Sequence, residues 1–283
     1  MKRIAIIVTL TFVLFGFSDS KKDLAIQKVK GLFTSTQSIS TMSYEFIRTE
    51  RIDGELVKNH SKVKMQRKPY SIYVQEIAPN AGLEILYPDP QEENKALINP
   101  NGFPWINLRL DPMGDLMRKG QHHTVHEGGY DYIVSVMEYI FYKYRTRLTD
   151  IVAYDGISIY NGRSCDMITL HNPGFKYINY TVSKGETVTS IATKYRLNEY
   201  MIMEKNKGLG FSSSLRAGDI IKIPSDYSSS MTICVDRERQ IPLSMKIYDD
   251  EGLFEHYEFK NVEINPNLRP EEFSDSFTAY NFN

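Results

Sequence analysis

Apolar and polar positions along the chain fall into segments of two periods. Leu24, Ile26, Val29, Leu32 and Phe33 recur near helical spacing, which predicts one amphipathic helix ending at about Ser38. Strand-like stretches follow at Ser43 to Arg51, Val57 to Gln66, Tyr70 to Ile77, Leu83 to Tyr87, Lys95 to Asn99 and Ile106 to Leu110, several of them alternating apolar with polar. Asp53-Gly54, Asn80-Ala81-Gly82 and Asn99-Pro100-Asn101-Gly102 supply the turns that an antiparallel meander needs. The period then lengthens, because Tyr130, Ile133, Met137, Ile140, Phe141, Tyr144 and Leu148 sit three or four apart and predict the longest helix. Such a stripe is more often a core-packing face than a ligand-lining one. Strands resume at Ile151 to Ile159 and Cys165 to Leu170, with Tyr160-Asn161-Gly162-Arg163 as a hairpin turn. They return again at Met231 to Val235, Leu243 to Asp249 and Phe254 to Glu263. The expected class is α+β, mostly β.

Residues 178–225 break this texture and read as a compact insert with their own start, helices and stop. Thr187 can N-cap a helix whose inner face is Val188, Ile191, Ala192 and Tyr195, and Asn198 can N-cap a second bearing Met201, Ile202 and Lys205. Gly218-Asp219 turns the chain into a last strand that Pro224 ends. Tyr180-Thr181-Val182, Lys184-Gly185-Glu186-Thr187, Ser190-Ile191-Ala192, Tyr195, Asn206, Leu215, Gly218-Asp219 and Ile221-Lys222-Ile223-Pro224 resemble a LysM domain over the whole of its βααβ length. Gly208-Leu209-Gly210-Phe211 also spells a PDZ carboxylate loop, but the insert holds about half the residues that fold requires. The LysM resemblance implies a shallow groove that binds peptidoglycan or a chitin-like glycan. Carried over by position, the groove is formed by Gly185, Glu186, Thr187 and Val188 on one side and Leu209, Gly210 and Phe211 on the other. Its backbone groups would read N-acetyl groups and Phe211 would pack on a sugar face. One shallow groove implies binding at about micromolar to millimolar strength, and a worn module kept as a spacer is the alternative.

The host, from about Lys21 to residue 177 and from residue 226 to Asn283, resembles the half-barrel of periplasmic lipoprotein carriers. The resemblance rests on the N-terminal helix, Tyr44-Glu45-Phe46 before the Asp53-Gly54 turn, and Arg67-Lys68-Pro69-Tyr70. It continues in Cys234-Val235-Asp236, Ile241-Pro242-Leu243, Asp250-Glu251-Gly252-Leu253 and Phe259-Lys260-Asn261-Val262. It implies a curved antiparallel sheet around a concavity able to hold a lipid or lipoprotein acyl chain, with the Tyr130 to Leu148 helix as plug or lid. A core closed by those same aromatics is the alternative.

Lys2 and Arg3 precede an apolar run from Ile4 to Phe17, shorter than the roughly 20 residues that span a bilayer, and small residues follow. This predicts a signal peptide over residues 1–20, cleaved after Ser18 or Ser20, and an exported periplasmic protein. The nineteen Tyr and fourteen Phe favour sheet. The 34 Lys and Arg against 35 Asp and Glu give no field to steer nucleic acid.

Cys165 and Cys234 are too few for a disulfide scaffold. In an exported chain they pair or remain two isolated buried thiols. A bond would staple the strands on either side of the insert, worth about 4 kcal/mol of loop closure. His122, His123 and His126 cluster, but one adjacent carboxylate, Glu127, falls short of a metal's three or four ligands. Cofactors and a catalytic motif are not expected, since no GxSxG, Walker loop or dinucleotide fingerprint occurs. The sequence therefore predicts a non-catalytic glycan-binding envelope protein. The rivals are a cell-wall hydrolase or accessory factor targeted by its LysM, and a structural envelope protein with a degenerate one.

Overall fold

The computed structural model describes the backbone of residues 11–282 and the side chains of residues 20–282. Of the expected signal segment, residues 1–20, the first ten lie outside the described residues and residues 11–19 are described by their backbone alone. Among those described, no helix is long and apolar enough to cross a membrane.

The host is one antiparallel sheet of eleven strands with helices on its concave side. The first helix, α1 (Thr11–Gln37), starts earlier than the apolar spacing indicates and buries Ala25, Val29 and Leu32. Then come β1 (Thr41–Ile52), β2 (Glu55–Arg67), β3 (Tyr70–Ala78), β4 (Glu84–Tyr87), β5 (Ala96–Asn99) and β6 (Leu108–Leu110), each from β2 onward paired with its predecessor. The strand expected from Ile106 begins only at Leu108, because Asn107 spends its amide on the carbonyl of Phe282 and Ile106 is left in solvent.

After β6 the chain forms a one-turn helix, α2 (Asp115–Arg118), and then α3 (Asp131–Lys143). The helix expected from Tyr130 to Leu148 is thus two pieces. It stops at Tyr144, whose hydroxyl donates to Asp226 at 2.8 Å, and the polar Arg145-Thr146-Arg147 carries the chain to α4 (Leu148–Ile151). From there β7 (Val152–Tyr160) and β8 (Arg163–His171) complete one flank. The sheet closes through β11 (Ser230–Asp236), β12 (Pro242–Tyr248) and β13 (Leu253–Ile264), with β13 beside β1. Of the two sheet edges, β6 is only three residues long and β7 lies along α1, which limits stray pairing.

Between β8 and β11 sit β9 (Tyr177–Thr181), α5 (Val188–Tyr195), α6 (Glu199–Lys205) and β10 (Ile220–Pro224). Strands β9 and β10 form their own antiparallel pair, running from Tyr177 opposite Pro224 to Thr181 opposite Ile220. Val182, Val188, Ile191, Ala192, Leu197, Ile202, Ile221 and Ile223 make a core separate from the host's. Since β8 and β11 pair with His171 opposite Ser230, and the Asn172 amide donates to Ser229 at 2.8 Å, the insert leaves and rejoins the host at one hairpin tip.

Candidate functional site

The two helices of the insert are capped as their sequences dictate. Thr187 Oγ1 accepts from the Ser190 amide at 3.1 Å, and Ser190 Oγ accepts in return from the Thr187 amide at 2.8 Å. Asn198 Oδ1 accepts from the Tyr200 amide at 2.8 Å, leaving its Nδ2 to donate to Glu255 of β13, also at 2.8 Å. One side chain therefore both starts α6 and ties it to the host.

The groove residues expected from sequence are placed unequally. Gly185 is exposed at φ +82°, and no atom lies within 4 Å of where a Cβ would stand, so the chain runs bare there. Thr187 is also exposed. Glu186 is a strut, accepting from the Ser183 amide and the Tyr180 hydroxyl, each at 2.8 Å, and pairing with Lys194 at 3.1 Å. Those hydrogen bonds, the Ser183 amide first, hold its carboxyl below the usual range. Val188 is fully buried in the insert core, and Leu209 packs against it. Gly210 is half-buried, with its amide donating to Ser213 Oγ at 2.7 Å.

Phe211 has a host residue over it. The guanidinium of Arg118, from α2, stacks 3.7 Å from the ring centroid, pairs with Glu199 and reaches Thr189 Oγ1 at 3.4 Å. Tyr200 packs edge-on against Phe211, and its hydroxyl accepts from the Gly120 amide at 3.0 Å. Ser212 donates to Asp115 at 2.7 Å. Of the expected groove, Gly185 and Thr187 are thus exposed, whereas Phe211 is covered by Arg118 of the host. Nothing in the sequence pattern marks Arg118, which sits in a four-residue helix far from the insert in the chain.

The rest of the docking surface is a buried polar network. Met201 and Phe254 are fully buried against each other, with Ile52 and Met203 beside them. Arg51 bonds both carboxylate oxygens of Asp249 and reaches Glu204 of α6 at 3.1 Å. Glu255, fully buried, accepts from His122 Nδ1 at 2.8 Å and from the Tyr227 hydroxyl at 2.9 Å. Burial alone would raise its pKa, but the hydrogen bonds and charge of His122 and His123 hold it down to about 2. His123 is opposed by burial too, yet its contacts with Glu127 and Glu255 push it up to about 10. His122 and His123 thus converge on Glu255, with His122 Nε2 also meeting the Arg51 carbonyl at 2.9 Å and His123 also meeting Glu127, whereas His126 turns away and packs on Tyr87. Among the described residues no group of three or more His, Cys, Asp or Glu could hold a metal ion.

Cys165 and Cys234 lie on neighbouring strands, opposite Asp236 and Met167, hence one rung apart on one face. Both are buried free thiols, and burial raises the pKa of each.

The host concavity is only partly filled. Helices α1 and α3 pack into one core with the sheet, α1 lying along β7. Over β1 to β4 a cavity remains, with ≈ 940 Å³ of atom-free space including its mouth. Phe46, Val63, Ile72, Val74 and Ile85 make its wall and Ile133 of α3 its cover. Arg48, Glu50, His123 and Glu127 form a polar stretch of the lining, with Arg48 donating to Gln121 at 2.7 Å.

Fold and site together define an α+β protein with a large curved antiparallel sheet covered by helices and a separate small LysM module; a LysM domain model matches residues 180–224. The chain belongs to the family described as protein of unknown function DUF1571, whose model matches residues 39–193. No curated protein matches the chain. Solved structures similar to it include a DUF1329 family protein from Desulfovibrio piger, at 10% identity, 92% of this chain, 98% of that chain and TM-score 0.34. The MucA/MucB complex of Pseudomonas aeruginosa gives 10% identity, 88% and 60% coverage, and TM-score 0.40. Lipoprotein LppX of Mycobacterium tuberculosis gives 10% identity, 87% and 98% coverage, and TM-score 0.42. Likenesses of that size carry no functional argument.

Proposed function

We propose that this is an exported, periplasmic, non-catalytic protein whose LysM module binds peptidoglycan or a related N-acetylglucosamine-containing glycan. The observation that carries the reading is the bare strip from Gly185 to Thr187 in a module matched as LysM, open to solvent although the module is docked on the host. The exposed backbone at Gly185 offers its groups to N-acetyl substituents, while the Glu186 and Thr187 amides are bonded within the module, and so small an area fits weak binding that a polymeric glycan strengthens by avidity.

The test is isothermal titration of chitohexaose into the full chain, alongside sedimentation with purified sacculi. Gly185→Asn keeps the left-handed backbone, which Asn tolerates, and puts a side chain over the strip. Its heat of binding is expected to fall at least fivefold while its melting curve stays put. Equal heats for the two proteins would remove the strip from the site. Release of soluble muropeptides from sacculi would instead favour a cell-wall hydrolase.

A second reading is carried by the cavity, whose wall of Phe46, Val63, Ile72, Val74 and Ile85 is apolar. The host then holds an acyl chain of a lipid or lipoprotein along Phe46, Val63, Ile72 and Ile85. Native mass spectrometry of protein purified from its own cell envelope tests this, since released lipid is expected and a bare mass would refute it.

A further inference from the structure

One loop of the host is built inside out. In the loop between β5 and β6, Phe103, Trp105 and Ile106 are 86%, 78% and 62% exposed. Its asparagines are bonded to the protein's own backbone. The Asn99 amide donates to the Asn281 carbonyl at 2.7 Å, and the Asn101 amide to the Ala81 carbonyl at 2.9 Å. Asn107 donates to the Phe282 carbonyl, and Asn99 Oδ1 accepts from the Asn101 backbone at 2.9 Å. A loop stabilised by water alone would show the reverse arrangement.

Charge is missing from the same place. No Asp, Glu, Lys or Arg occurs from Ala96 to Leu108, or in the β3–β4 turn from Ala78 to Leu83 that Asn101 binds. The two turns are held close: a Cβ on Gly82, itself at φ +84°, would stand 2.3 Å from Asn101 Nδ2. Trp105 adopts φ +62°, a left-handed backbone that is costly for a bulky residue and that no burial of its ring within the protein offsets.

We propose that this uncharged tip is a contact site for a lipid bilayer, in which Phe103, Trp105 and Ile106 enter the interfacial layer. Aromatic side chains favour that layer, and an uncharged tip takes no ion out of water. A glycan or a protein partner fits less well, because each would use hydrogen-bonding groups around the aromatics and the amides here are already spent. Leu83 and Ile85, at the base of the tip, also line the host cavity, so the contact would place that cavity beside the membrane. The contact does not depend on glycan binding or on what the cavity holds.

Trp105 is the chain's only tryptophan, so its fluorescence reports the tip alone. The processed chain is mixed with vesicles of phosphatidylcholine, with and without phosphatidylglycerol. The expected result is a blue shift of Trp105 emission, quenching by bromine-labelled acyl chains, and reversible binding half-complete at about millimolar lipid. The shift should be equal on both vesicle types and survive high salt, as an uncharged contact requires. Phe103→Ser/Ile106→Ser should weaken sedimentation with vesicles roughly tenfold at an unchanged melting temperature. Unchanged emission with both vesicle types would overturn the proposal. So would a shift produced only by chitohexaose, or one that follows protein concentration without lipid and so marks self-association.

Discussion

The guanidinium of Arg118 lies over the ring of Phe211 at 3.7 Å, so the host occupies the face that a LysM groove would offer to a sugar. The same side chain pairs with Glu199 and touches Thr189, which places it between the first helix of the module and its last loop. Removing it should uncover Phe211. Arg118→Ala is expected to bind chitohexaose roughly three- to tenfold more tightly, while lost cation–π and ion-pair contacts lower stability by about 2 kcal/mol. Titration calorimetry measures the first and urea denaturation the second. Unchanged or weaker binding would show that the Phe211 face takes no part in the trough.

The pair of buried Glu255 and half-buried His123 sets limits on stability at both ends of the pH scale. Glu255 is held at about 2 in the folded chain against 4.5 ordinarily, so its contribution is complete above pH 4.5 and lost as pH falls towards 2. His123 is raised to about 10 from 6.5, so its contribution is complete below pH 6.5 and lost as pH rises through 10. Melting temperatures are expected to peak between those ordinary values and to fall on either side. Glu255→Gln should flatten the acid limb and move the alkaline limb to lower pH, because His123 then keeps Glu127 alone. An identical alkaline limb in the variant would contradict this linkage.

What could be read from the chain, and what could not, divides along contact distance. Alternation in Ser43 to Arg51 or Phe254 to Glu263 records a half-buried pleat, which is local, and both segments lie within β1 and β13. Thr187 and Asn198 announce their helices because a cap bonds within three residues. The docking of the module leaves no such trace. Arg118 and Phe211, or Asn198 and Glu255, meet from elements far apart in the chain, and a lone Arg or Asn has no periodicity to reveal its partner. The failed strand start at Ile106 has the same cause, since Asn107 was claimed by the C-terminal Phe282. An uncharged stretch around the single tryptophan was visible in the sequence, but exposure rather than composition gives it meaning.

Arg51 is the bolt between host and module. It is nearly buried and bonds Asp249, which is itself buried, while a second contact reaches Glu204 of α6. Arg51→Ala leaves Asp249 charged and unpaired, at a cost of about 3–5 kcal/mol. A melting temperature lower by roughly 5–15 °C follows, with faster amide exchange in α6 than in β1. Arg51→Met with Asp249→Asn should recover most of the loss. No buried charge then remains at that pair, and the carboxamide oxygen can still accept from the Glu251 amide, which Asp249 holds at 2.8 Å. A double variant no better than the single one would place the cost elsewhere.

Cys165 and Cys234 test the compartment as well as the fold. Both thiols are buried, and burial raises their pKa, so the nucleophilic thiolate is scarce at neutral pH. Native protein is therefore expected to take up iodoacetamide very slowly. After unfolding in urea without reductant, intact mass should show both cysteines alkylated, as two free thiols require. They sit on one face of adjacent strands, and their burial means that an oxidant could reach them only on local opening. A mass showing no alkylation until reductant is added would mean that the strands flanking the module are cross-linked, and that the module rides on a clamped hairpin.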